Sequence, residues 1–365
     1  MITRLRWLSL ALCAVLVNGA SAFAEEAVPG RPLLKTAVDE RQMVTLEGNT
    51  RPEAKLAAND RQAVADSLLL EHMHLQLKRS AAQERAVETY VNSLTDPASP
   101  NYHHWLTVTE FGERFGVAQS DISRITAWLK AKGLTVNLVY PSRMLIDFSG
   151  TAGQVSRAFG TEIHRLDVDG VSHFANVSDP RIPAALAPAV EGIVSLNDFH
   201  AHNKMLKRRA PAGKHPDDTG TCSGQPCYDL APGDLATIYG LSALFSAGYS
   251  GQGEVIAVVE DTNLYSSSDW TKFRSSFGLT KYTSGSLEAV RPAPKGGIAC
   301  GNPGVNSNDG EAALDAEWAS AAAPSATIMV AACNGNNGVY KAIENLVNST
   351  TPPPVISVSY GICEV

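Results

Sequence analysis

The chain has 365 residues, of which 44% are hydrophobic and 18% charged, enough to build two folded units with cores of their own. Its formal net charge is −7 and no long basic run occurs, which argues against nucleic acid as a partner. No stretch reaches the ~18 consecutive apolar residues of a membrane-spanning helix, so no membrane partner is expected.

Residues 1–24 have the form of a signal peptide. Arg4 and Arg6 supply the positive region, 7–17 the apolar region, and Ala20-Ser21-Ala22 and Ala22-Phe23-Ala24 are candidate cleavage sites. Cys13 lies inside the apolar run and follows Leu12, which argues against a lipid anchor. The expected location is secreted: extracellular or periplasmic.

Residues 25–65 read as an irregular, partly extended arm. From 66 to 200 the pattern predicts a compact α+β unit: a strand over 68–77, helices over 81–94 and 108–115, and a helix capped by Ser120 running to Ala131. Strands follow at 136–140 and 143–148, then a helix over 152–159. A hairpin of 162–168 with 171–174 turns at Asp169-Gly170. This order suits a small antiparallel sheet with helices on one face, of ferredoxin-like type. His103 and His104 sit in a turn, where imidazoles are expected to bond backbone groups rather than act as ligands or bases.

Residues 201–232 read as a linker. Its basic start, Lys204 to Arg209, and the following aperiodic Pro/Gly/Asp/Thr run make it a candidate nick site. From about 233 the pattern becomes α/β. Continuous apolar runs at 255–259, 327–332 and 355–358 read as buried parallel strands, alternating with helices over 266–277, 309–323 and 339–347. Glu260 and Asp261 stand at the carboxyl end of the first strand, where ligands collect in open α/β sheets.

The helix starting near Asp309, with Asp309 or Ser307 as its expected cap, carries Glu311 and Asp315 four residues apart. They therefore lie on one face, one turn apart. Its other residues are mostly Ala, Leu and Trp, so the pair is expected to be buried. Like charges in a buried site tend to share a proton, which suits acid/base chemistry.

Five cysteines follow the signal segment. Cys222 and Cys227 flank a turn-like loop that a local disulfide could close. Cys333 and Cys363 each follow a strand-like run and could bridge neighbouring strand ends, leaving Cys300 over. No His lies at ligand spacing to them, so no zinc site is expected.

Gly310-Glu311-Ala312-Ala313-Leu314-Asp315, Ile256 to Glu260, and Ser357-Val358-Ser359-Tyr360-Gly361 together resemble the sedolisins, or serine-carboxyl peptidases. Ser99-Pro100-Asn101-Tyr102-His103-His104-Trp105-Leu106, Phe159-Gly160 and the stretch from Ile182 to Asn197 resemble that family's activation prodomain. The resemblance implies a prodomain over 35–200, a linker with the activation cleavage over 201–232, and the first portion of a subtilisin-like parallel-sheet catalytic domain over 233–365. It implies Glu311 as general base for a serine nucleophile, Asp315 as its orienting partner, and Glu260 and Tyr360 as members of the same network. Tyr360 stands where other members have Trp. Implied partners are protein or peptide substrates and the prodomain docked in cis, and calcium is expected for the complete fold.

The family's oxyanion Gly-Asp motif, its Ser-Gly-Thr-Ser nucleophile motif and its calcium ligands do not occur in the expected order within residues 1–365. Ser284-Gly285-Ser286 is expected to be only a loop. The expectation is that this stretch alone is a fragment, does not cleave peptides by the family's mechanism, and leaves an unpaired sheet edge that weakens its last third. A second reading is a non-catalytic binding protein, its prodomain acting as chaperone or inhibitor of an intact relative. A third, an ordinary subtilisin-like triad using Asp261, needs a His-Gly-Thr-His-like segment that the sequence lacks.

Overall fold

Two four-stranded sheets of opposite character carry the chain, one antiparallel and one parallel. A computed structural model describes residues 30–199, 202–203, 218–222, 225–335 and 337–361, with backbone alone at 202–203, 218–222 and 225–229. The signal segment 1–24, the basic stretch 204–217, Cys363 and the Cys222 and Cys227 side chains lie outside that description, and with them those disulfide and cleavage expectations.

The first unit runs β1 (Met43–Thr45), β2 (Asp60–Ala63), β3 (Leu69–Leu77), α1 (Ala81–Ser93), α2 (Val108–Phe115), α3 (Gln119–Ala131), β4 (Thr135–Val139), β5 (Leu145–Thr151), α4 (Ala152–Phe159), β6 (Ile163–Val168), β7 (Val171–Asn176), β8 (Arg181–Pro183) and β9 (Val190–Val194). Its helices start where side chains can satisfy orphan N–H groups. Ser80 with Gln83, Thr107 with Glu110 and Thr151 with Gln154 form capping boxes at α1, α2 and α4. Gly160, at φ 62°, ends α4 in the left-handed region.

The main sheet has the order β4-β5-β3-β9, all antiparallel. Its register pairs Leu75 with Ile146 and His74 with Asp147. Alternation therefore sends Met73, Leu75, Ile146 and Phe148 into a core with Ile125, Leu129 and Phe159, while His74 and Asp147 face the other way.

Several expectations change here. The 25–65 arm is not irregular throughout: β1 pairs with β8, and β2 joins β6 and β7 in a second, three-stranded sheet. The Asp169-Gly170 hairpin forms, with φ 53° and 81° as a two-residue turn requires, but in that smaller sheet. Ser120 lies inside the first turn of α3, whose cap position is Ala118. His103 stacks on Tyr102 with centroids 3.8 Å apart, and it is the His104 carbonyl that accepts a hydrogen bond, from the Tyr90 hydroxyl.

The second unit runs β10 (His202–Asn203), β11 (Asp218–Cys222), β12 (Gln225–Asp229), α5 (Pro232–Ile238), α6 (Leu241–Ser246), β13 (Val255–Glu260), α7 (Ser267–Ser276), β14 (Ser286–Val290), α8 (Asp309–Ala322), β15 (Thr327–Ala332), α9 (Gly338–Val347), β16 (Val355–Val358) and β17 (Tyr360–Gly361). The parallel sheet has the order β14-β15-β13-β16. α9 packs Val339, Ala342 and Leu346 on one face and α8 packs Ala316 on the other, so β13 is fully buried at Ala257, Val258 and Val259. β16 is the outer strand of the four, and Val355 and Val358 are exposed on it.

Two readings are corrected in this unit. Ser286 is the first residue of β14, with its hydroxyl 2.9 Å from that of Thr327. Cys333 bridges Cys300, not Cys363, because the loop after β14 returns Cys300 to the end of β15 with the two Cα atoms 5.4 Å apart.

The units meet across the polar face of the antiparallel sheet. His74 lies against Glu344, the Tyr140 hydroxyl donates to Asn345 at 3.3 Å, and the Ser142 N–H donates to Asn348 at 3.2 Å.

Candidate active site

Parallel strands feeding helices leave their carboxyl ends facing one edge of the sheet, and the acidic residues collect there. Glu260 closes β13, Glu311 and Asp315 come from the first two turns of α8, and Ser359 and Tyr360 follow β16. The four residues singled out from the sequence, Glu311, Asp315, Glu260 and Tyr360, are thus brought together.

Glu260 is fully buried and Glu311 is 3% exposed. The Ser359 hydroxyl donates to Asp315, 2.9 Å from Oδ1 and 2.7 Å from Oδ2. The Tyr360 hydroxyl lies 2.9 Å from Glu260 Oε2 and 3.1 Å from Asp261 Oδ1. Asp315 and Glu260 are near enough for the charge of one to act on the other. Glu311 Oε2 and Glu260 Oε1 are buried without a hydrogen-bonding partner.

This crowding shifts the carboxyls in one direction. Burial first, and the Asp315 charge second, hold Glu311 above the ordinary range. Burial raises Asp315 as well, against the opposing hydrogen bond from Ser359. Burial, then the Asp315 charge, pushes Glu260 up to about 9 against the pull of the Tyr360 hydroxyl. The Tyr360 phenol is raised by burial and by the Glu260 and Asp261 charges, so it stays protonated. The cluster therefore retains protons that exposed carboxyls would release, and can hold or pass them among neighbours.

Sequence reasoning missed three contributors. Ser359 was quoted only as part of a motif, although a serine directly after a buried strand and opposite a carboxylate helix is a natural donor. Asp261 is placed by the sequence at the strand end beside Glu260, but its hydrogen bond with Tyr360 is not. Asn308, which starts α8 in place of the expected Asp309 or Ser307, uses its side-chain amide to contact both Asp261 oxygens, at 3.2 and 2.9 Å. Ser284, by contrast, donates to the Ser325 carbonyl in a loop, as expected. Among the described residues no group of three or more His, Cys, Asp or Glu side chains is arranged to hold a metal ion.

Residues 57–199 match the family described as "Pro-kumamolisin, activation domain". The chain is similar to xanthomonalisin of Xanthomonas sp. (strain T-22), at 30% identity over 218 residues, 56% of this chain and 26% of that protein. It is similar to kumamolisin of Bacillus sp. (strain MN-32), at 27% over 327 residues, 88% of this chain and 56% of that protein. Sedolisin of Pseudomonas sp. (strain 101) matches at 24% over 301 residues, 80% of this chain and 49% of that protein. The chain therefore spans about half the length, or less, of these relatives.

Proposed function

The chain belongs to the sedolisin family and carries that family's activation domain, and from this premise we propose that it forms the prodomain and the base-bearing portion of a secreted, acid-acting peptidase zymogen. The observation that carries the reading is the buried, unpartnered Oε2 of Glu311 beside Asp315. An acceptor in that state costs free energy until a donor arrives, and a nucleophile's hydroxyl is such a donor.

In this mechanism Glu311 accepts the proton of the serine hydroxyl as it attacks the peptide carbonyl, and returns it to the leaving amine. Asp315, held by Ser359 and facing Glu260, fixes the Glu311 carboxyl and adjusts its proton affinity. A carboxylate base remains usable in acid, where imidazole is protonated. The serine belongs to the family's Ser-Gly-Thr-Ser motif, which does not occur within residues 1–365. Calcium, which the family resemblance implies, finds no fitting ligand set among the described residues, and no step passes through it.

The architecture supports a zymogen. The antiparallel order β4-β5-β3-β9 with helices over one face supports reading about 35–200 as a ferredoxin-like prodomain, and the parallel sheet supports reading the chain from about 233 as the start of a subtilisin-like domain. The segment leaving the first unit pairs, as β10, antiparallel to β17, which places Asn203 opposite Tyr360. The chain entering the linker thus lies beside the candidate site, where it obstructs substrate until it is cut. Acid weakens the docked state by protonating carboxylates at the contact, and incubation at about pH 4 is expected to cut within 204–216. An uncut band there would count against acid activation.

A second reading rests on the first unit having a large core of its own. Residues 35–200 would then fold alone and bind an intact relative as chaperone or inhibitor. Inhibition of kumamolisin by that fragment would support it, and a fragment that stays unfolded would exclude it.

A further inference from the structure

The Tyr360 hydroxyl stands between two carboxyl groups, 2.9 Å from Glu260 Oε2 and 3.1 Å from Asp261 Oδ1. A phenol has one proton to donate, so it cannot satisfy two carboxylates at once. One contact must be donated by Tyr360, and the other accepted by it from a protonated carboxyl.

The surroundings decide which is which. Asp261 is only partly buried, and the Asn308 amide donates to both of its oxygens. Asn306 pins the Asp261 backbone carbonyl at 2.9 Å. Both Asp261 oxygens are thus already acceptors. Glu260 is fully buried, faces Asp315 and Glu311 on α8, and has a second oxygen without a donor. Those surroundings favour the neutral acid. Among the described residues no Lys, Arg or His forms an ion pair with Glu260, Asp261, Glu311 or Asp315, so no cation competes with this assignment.

We propose that Asp261 is a positioning residue, the accepting end of a one-way hydrogen-bond chain in which Tyr360 donates to Asp261 and Glu260 donates to Tyr360. Glu260 then offers its other oxygen, Oε1, as an acceptor toward Asp315. Protons in the cluster are drawn away from Glu311, which is left as the free acceptor for the nucleophile. No covalent bond changes, and each proton moves only between hydrogen-bonded oxygens. The burial and charge that push Glu260 up to about 9 act in the same direction.

This inference rests on Glu311 being the base, but its test does not use activity, so the two can fail separately. The 365-residue chain with 13C-labelled glutamate carboxyls is titrated by carbon NMR, Glu260 being assigned with Glu260→Gln. The expected result is a Glu260 carboxyl still protonated at neutral pH, with its midpoint falling by at least about one pH unit, tenfold in proton affinity, in Asp261→Ala and Asp261→Asn. In a Tyr360→Phe background the same substitutions should shift it by less than half as much. An ionised Glu260 at neutral pH, an unmoved midpoint in variants of native circular dichroism, or an undiminished shift without the Tyr360 hydroxyl would each overturn the proposal. Should the Asp261 variants not fold, Tyr360→Phe alone decides: removing the bridge must itself change the Glu260 midpoint, and an unchanged value overturns it.

Discussion

His74 on β3 places Nδ1 2.8 Å from Oε2 of Glu344 on α9, joining the two units at a buried contact. The imidazole side chain is 4% exposed and the carboxyl 18%. Tyr140 stands edge-on to the ring at 5.9 Å, and Asp147 lies opposite His74 in the sheet register. Replacing one partner leaves the other buried without its contact, a loss of ~1–3 kcal/mol. Glu344→Leu and His74→Leu should therefore each loosen the junction of the two units, and the double variant should lose less than the sum of the two. Hydrogen exchange of the β3 and α9 amides reads this directly. Exchange in both single variants as slow as in wild type would remove the latch.

Glu260 makes stability depend on pH in a defined direction. Its carboxyl is raised to about 9 from 4.5, so the folded state binds the proton more tightly than the unfolded chain. The contribution is complete below the unfolded value and is lost as pH rises from 4.5 toward about 9, at roughly 1.4 kcal/mol per pH unit. Glu260→Gln should flatten that fall and stabilise the protein at alkaline pH. Urea unfolding at several pH values would expose an unchanged slope, the outcome that contradicts the assignment.

Cys300 and Cys333 enclose a 33-residue separation that includes α8 and its carboxylates. Constraining a loop of that size is worth ~3–4 kcal/mol in the chain-entropy account. Cys300→Ser with Cys333→Ser should lower the denaturant midpoint accordingly and loosen α8. Unchanged stability in the double variant would show that the bridge adds nothing.

Ser359 is the donor that holds Asp315 ionisable despite burial. A hydrogen bond to a charged group is worth ~1.5–3 kcal/mol, so Ser359→Ala should raise the Asp315 carboxyl further. Carbon NMR of labelled aspartate measures the shift, and a fixed Asp315 midpoint would exclude Ser359 from the network.

The acidic helix was legible because i, i+4 spacing fixes a shared face whatever surrounds it. The continuous apolar runs marked β13, β15 and β16 because strands buried on both faces leave no alternation to misread. β2, β9 and β14 were not legible. Asp60–Ala63 is polar and held by pairing with β6, and β14 is an exposed edge strand whose Ser/Gly start looks like loop. The Cys300–Cys333 bridge depends on a loop returning across the sheet, which spacing along the chain does not encode. Asp261 was visible at the strand end, but not its partners, because Asn308 and Tyr360 lie 47 and 99 residues away.

The most direct test of the central claim is peptide hydrolysis as a function of pH by the product of the native gene, with and without Glu311→Gln. The account predicts cleavage confined to acid and reduced about 10²–10⁴-fold by the substitution, with the fold intact. Hydrolysis that persists in Glu311→Gln, or a folded and processed protein that cleaves no peptide at any pH, would contradict it.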